Sequence, residues 1–163
     1  MRSASFVLIA GALSAPFASS AAASTVSVTL PRMSLAEYKR PYVAGWIEPA
    51  NGGAPRSLFV WYDLKKGGNE PGTKWLGDLR SWWRKAGRLM KLPADGVSGA
   101  TRAPGTYTIA LPGDLAPGHY VFNVEVAREH GGRELVSVPV SIPNPAGKAS
   151  GKSEIGAVVV AAK

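Results

Sequence analysis

Seven consecutive residues, Asp95-Gly96-Val97-Ser98-Gly99-Ala100-Thr101, combine a carboxylate, two hydroxyls and an almost bare main chain. Two glycines and an alanine leave the backbone open, so an enclosing active site can reach the Thr101 hydroxyl, and Asp95 is placed to close an Asx-type turn that presents the loop. The same residue types also build ordinary turns, because glycine supplies positive φ and aspartate bonds its own backbone. A plain loop entering a strand over Thr106 to Leu111 is therefore the competing reading of the same letters.

The pattern Asp-Gly-x-Ser-Gly-Ala-Thr resembles the acceptor site at which an FAD:protein FMN transferase esterifies a threonine hydroxyl with FMN phosphate, as in the flavin subunits of sodium-pumping NADH:quinone reductase. The resemblance implies covalent FMN on Thr101, with Asp95, Ser98 and Gly99 serving recognition by the transferase and Ala100 completing the motif. Such a cofactor needs a partner for its phosphate and a surface for its ring. Arg102 is adjacent, and Arg80, Arg84 and Arg88 lie on the preceding segment, where guanidinium forks suit phosphate oxygens. Trp82 and Trp83 offer flat faces, and His130, in Arg-Glu-His-Gly-Gly, offers an imidazole that can donate to a reduced flavin. Each has a plainer reading beside it: the arginines as the wet face of a helix, the tryptophans as core, the histidine as a turn residue.

The elements that must position these residues are mostly strands. Thr25 to Leu30 alternates apolar and hydroxyl residues with period two, Pro41 to Glu48 and Ser57 to Asp63 flank an Asn51-Gly52-Gly53 turn as a hairpin, and Gly105 to Leu111 follows the motif. His119 to Arg128 and Glu134 to Ile142 form a second hairpin across Gly131-Gly132, and a last strand starts near Ile155. Between the hairpins, Trp75, Leu76, Leu79, Trp82, Trp83 and Ala86 recur on one helical face, which predicts a single amphipathic helix with Thr73 as N-cap and Gly87 as stop. The segment 144–152, rich in Pro, Gly, Ala, Lys and Ser, reads as mobile. About seven short strands with one inserted helix, and no internal repeat, predict a mainly β, immunoglobulin-like antiparallel β-sandwich.

Residues 1–23 read as a signal peptide: Arg2, a short apolar run from Phe6 to Leu13, and the small residues Ala21-Ala22-Ala23. About 140 residues remain for one domain, 24–163. There are no cysteines, which excludes a disulfide framework, a thiolate metal site and a c-type haem. A formal charge of +8 favours acidic partners, anionic lipid or a phosphorylated ligand, and the export signal argues against nucleic acid. No Ser-His-Asp order and no Gly-rich nucleotide loop supports an enzyme with a free substrate.

With Arg40-Pro41-Tyr42-Val43-Ala44, Lys74-Trp75-Leu76, Leu79 to Arg84, Asp95 to Tyr107 and Ala127 to Gly132 in view, nearly all of the mature chain resembles a family of predicted periplasmic proteins of unknown function. Members of that family are encoded beside PepSY-type membrane proteins and flavin transferases, in loci linked to extracytosolic electron transfer and iron acquisition. The resemblance implies a periplasmic, flavin-bearing electron carrier that takes electrons from a PepSY-type partner. The sequence departs from the family in a shorter turn at Pro112 to Gly118 and in its tail after Pro143, and it lacks the fold of the quinone-reductase flavin domain. Two alternatives stand beside this reading: a cofactor-free immunoglobulin-like module that docks a membrane partner, and a haem or metal handling protein using His119 and His130.

Overall fold

The computed structural model describes residues 23–64 and 71–162. Nearly all of the expected signal peptide, and most of the polar loop before Gly72, lie outside the described residues. Among the described residues, nine strands form two sheets. They are β1 (Thr25–Leu30), β2 (Tyr42–Pro49), β3 (Arg56–Tyr62), β4 (Ser98–Ala100), β5 (Gly105–Ala110), β6 (Gly118–Ala127), β7 (Arg133–Ile142), β8 (Gly147–Ser150) and β9 (Ala157–Ala161).

One sheet has the order β5-β1-β9-β8 and the other β4-β3-β2-β6-β7. The mainly β sandwich predicted from the strand pattern is the fold. The period-two alternation of β1 buries Val26, Val28 and Leu30 between the sheets, where they meet Phe59, Trp61, Phe122, Val124, Val138 and Val158. The pairing is antiparallel throughout except at one edge, where β4 runs parallel to β3.

Two expectations are corrected. The segment 144–152 is not a mobile tail: its centre is β8, paired with β9 from Gly147↔Val160 to Ser150↔Ala157. Its small residues serve packing, since a Cβ on Gly147 would sit 2.6 Å from Val138 Cγ1. The single amphipathic helix is instead a broken one, a 3-10 segment Gly72–Asp78, a short α1 (Arg80–Lys85) and a 3-10 turn Gly87–Leu89. Pro71 rather than Thr73 occupies the N-cap, and Gly87 opens the last turn instead of ending the helix.

The break has a readable cause. The fully buried residues Leu76, Leu79 and Trp82 recur every third position, the spacing that a 3-10 helix stacks on one face, and Leu79 leaves helical geometry at φ −77°, ψ 68°. Trp75 falls off that row and is 40% exposed. The row packs on the outer face of the second sheet, against Tyr42, Ala44, Trp46, Val60 and Tyr62.

Glu125, wholly buried on β6, fastens the layer. Its carboxylate accepts the Ser81 N–H at 2.9 Å and the Trp82 N–H at 2.8 Å, and it accepts Arg133 Nη1 at 2.7 Å. An acidic group is thereby placed at the start of α1, where the first N–H groups have no partner within the helix.

A five-residue word also recurs, although no repeat was expected. Ala103-Pro104-Gly105-Thr106-Tyr107 and Ala116-Pro117-Gly118-His119-Tyr120 each open a strand, and in each the tyrosine hydroxyl donates to the carbonyl of its own alanine, at 2.7 and 2.9 Å. The bond back to a carbonyl four residues upstream fixes the corner through which the chain enters β5 and β6.

Candidate functional site

The motif is positioned by a turn and a three-residue strand. Gly96 has φ +70°, a left-handed conformation that a side chain disfavours. Ser98 does the fastening that Asp95 was expected to do: its Oγ accepts the Ala94 N–H at 2.9 Å while its own N–H donates to the Ala94 carbonyl at 2.8 Å. Asp95 is exposed, and its carboxylate closes no Asx turn among the described residues. The chain then pairs Ser98, Gly99 and Ala100 with Val60, Trp61 and Tyr62 of β3.

Gly99 lies against the Trp61 indole, and a Cβ there would be 3.1 Å from Cδ1. Ala100 is exposed, and Thr101, half-buried, donates its hydroxyl to Asp63 Oδ1 at 3.4 Å. Asp63 was not foreseen, and its only sequence signal is its place at the end of Ser57 to Asp63. The Arg102 guanidinium covers the rings of Trp61 and Tyr107, at 5.3 and 5.5 Å from their centroids. A groove of about 430 Å³ opens beside the motif, lined by Phe59, Trp61, Gly99, Arg102, Tyr107 and Ile109. Phe59 stacks on Trp61 at 4.4 Å, so the groove has a continuous aromatic wall. Trp61 and Tyr107, absent from the sequence-based candidates, both line it, Trp61 as a buried floor and Tyr107 half-buried.

Of the candidates named for a flavin, Arg102 borders this groove together with Ser98 and Gly99. Trp82 cannot stack on a flavin: it is fully buried, its Nε1 donates to Ser57 Oγ at 2.8 Å, and no ring can reach its faces. Trp83 is half-buried in the same layer, 6.2 Å from Trp82. Arg84 turns back to bond the Arg80 carbonyl. His130, exposed and at φ +54°, lies in the turn after β6 and lines a different hollow. His119 pairs with Ser141 at the start of that ten-residue strand, so the two imidazoles are roughly 30 Å apart and cannot share a ligand. No group of three His, Cys, Asp or Glu side chains among the described residues could hold a metal ion.

The register ties the motif to the rest of the sheet. One row runs Gly99, Trp61, Val43, Val126, Glu134 across all five strands. Just beyond it, at a single end of the sheet, lie Thr101, Asp63, Tyr42 and Arg128. The Tyr42 phenol donates to the Gly72 carbonyl at 3.1 Å, and its pKa is raised to about 12 by burial first and by the Asp63 charge second. Asp63 thus faces the Thr101 hydroxyl and acts electrostatically on a tyrosine of the neighbouring hollow.

The residues at this site fit a phosphoester in part. The half-buried Thr101 hydroxyl has a carboxylate beside it and Arg102 can turn to a phosphate, while Trp61 is only 5% exposed and leaves the half-buried Tyr107 as the ring open to a ligand. A family model described as predicted periplasmic protein (DUF2271) matches residues 23–157 of the chain. Neither a curated protein nor a solved structure matches it.

Proposed function

We propose that this chain, which belongs to the DUF2271 family of predicted periplasmic proteins, carries FMN as a phosphoester on Thr101 and serves as an electron carrier outside the cytosol. Residues 1–23 act as the export signal. The observation that carries the reading is the Thr101 hydroxyl, held at the exit of an edge strand and directed at Asp63, with an aromatic groove alongside.

In the acceptor reaction Thr101 Oγ bonds to the FMN phosphorus of FAD as the phosphoanhydride bond breaks and AMP leaves, all on the transferase. Asp63 orients the hydroxyl and lies in the path of its proton. When bound, the flavin would supply two-electron redox chemistry, with a PepSY-type membrane partner as the source of electrons and an oxidant such as two ferric ions as their sink. Arg102 would hold the phosphate, and the half-buried Tyr107 would lie against the ring.

The test is to co-express the exported chain with a periplasmic flavin transferase, denature it and weigh it beside Thr101→Ala. A flavin-sized addition in the wild type that is missing from the variant is expected. An unmodified chain in the presence of a competent transferase sinks the reading and leaves a cofactor-free module that docks a membrane partner.

A further inference from the structure

A second concavity, of about 470 Å³, lies at the same end of the sheet, between the start of β2, the β6–β7 turn and the helical layer. Its walls include Arg40, Tyr42, Trp75, Arg80, His130 and Arg133. The register separates it from Thr101 by two strand spacings, roughly 10 Å.

The arginines here fall into two kinds. Arg128 is clamped by Glu154, through Nε at 3.0 Å and Nη2 at 2.8 Å, and Arg133 is held by the buried Glu125. These two pairs make a stiff floor. Gly131 lies directly over the Arg128 guanidinium, with an added Cβ only 2.3 Å from Cζ, and Gly132 donates its N–H to Glu154 Oε1 at 2.9 Å. Arg40 and Arg80 are different: both are exposed, and neither guanidinium has a hydrogen-bond or ion-pair partner among the described residues. They contribute nothing visible to the fold, yet they point two forks at one hollow.

The rim also carries Asp78 and Glu129. A bare multivalent anion would be repelled by these carboxylates, whereas a ligand that also has hydroxyl groups would donate to them. We propose that this hollow binds a small, hydroxyl-bearing oxyanion, a phosphate or carboxylate held by Arg40 and Arg80 with its hydroxyls turned to Asp78 and Glu129. The site is separate from Thr101 and does not depend on a flavin being attached.

The experiment uses the exported chain produced without a flavin transferase, titrated by calorimetry and by NMR with malate and, separately, with glycerol 3-phosphate. Saturable binding that shifts the Trp75 indole N–H is expected for at least one, and the tighter of the two identifies the head group. The double substitution Arg40→Gln/Arg80→Gln is expected to weaken binding by about tenfold or more, the loss of charge-assisted hydrogen bonds. Arg80→Lys keeps the charge without the fork and is expected to fall between. Arg56→Gln, which breaks a surface pair with Asp114 elsewhere, is expected to bind like the wild type. No saturable binding to either compound overturns the proposal, as does a double variant that binds like the wild type or an Arg56→Gln that loses as much. Thr101→Ala leaves binding intact, so failure here and failure of flavin attachment are read separately.

Discussion

The hydroxyl of Thr101 donates to the carboxylate of Asp63 across the ends of two parallel strands, at 3.4 Å. The two residues are 38 positions apart in the chain and have no local reason to meet. Asp63→Asn keeps the size and the hydrogen bond while removing the charge. Under the flavin reading it slows modification of Thr101 by about tenfold, the value of one charge-assisted contact. A time course of the mass addition reads this, and an Asp63→Asn chain modified at the wild-type rate would remove Asp63 from the mechanism.

Glu125 supports the helical layer with a carboxylate that meets two backbone N–H groups and an arginine while being wholly buried. Glu125→Ala strands all three donors, and breaking such a buried charged cluster costs about 3–5 kcal/mol. Glu125→Gln retains part of the bonding and costs less. Chemical denaturation measures both. Equal stability of Glu125→Ala and the wild type would contradict the role of this group as the anchor of α1.

Glu134 carries a pH prediction. Burial alone would push its carboxyl up, but the backbone N–H groups of Lys152, Ile155, Ser153 and Glu154 outweigh that and hold it below its ordinary value of 4.5. A carboxyl depressed in the folded state adds stability above its unfolded value, and that contribution is lost as pH falls through the folded value. The stability gap between the wild type and Glu134→Gln is therefore expected to be full at about pH 6 and to shrink below about pH 4.5. Denaturation midpoints at several pH values check it, and a gap independent of pH refutes it.

The two-sheet architecture was legible because β1 and β7 alternate buried with more exposed residues, and β6, buried on both faces at its centre, still alternates Phe122, Val124 and Val126 with Asn123 and Glu125. What escaped was β4, since Ser98, Gly99 and Ala100 have neither bulk nor alternation and pair through the backbone alone. β8 escaped for a related reason, as Gly147 and Ala149 are small to fit beside neighbours and not to stay loose. Trp75, Trp82 and Trp83 looked equivalent on a helical wheel. A three-residue period in Leu76, Leu79 and Trp82 separated them, burying one and exposing another. The motif itself was legible as a stretch, but its partners were not. Asp63, Trp61 and Tyr107 reach it only through strand pairing and sheet packing, which no local spacing encodes.

The direction of one short strand has an effect out of proportion to its length. Had β4 run against β3, residue 101 would have left the sheet beside the Asn51-Gly52-Gly53 turn, at the opposite pole from Asp63, Tyr42 and the arginine-lined hollow. Running with β3, it delivers the Thr101 hydroxyl to the end that already holds those groups. Both hollows therefore open toward one end of the second sheet. A flavin on Thr101 and an anion between Arg40 and Arg80, as proposed above, would share that approach.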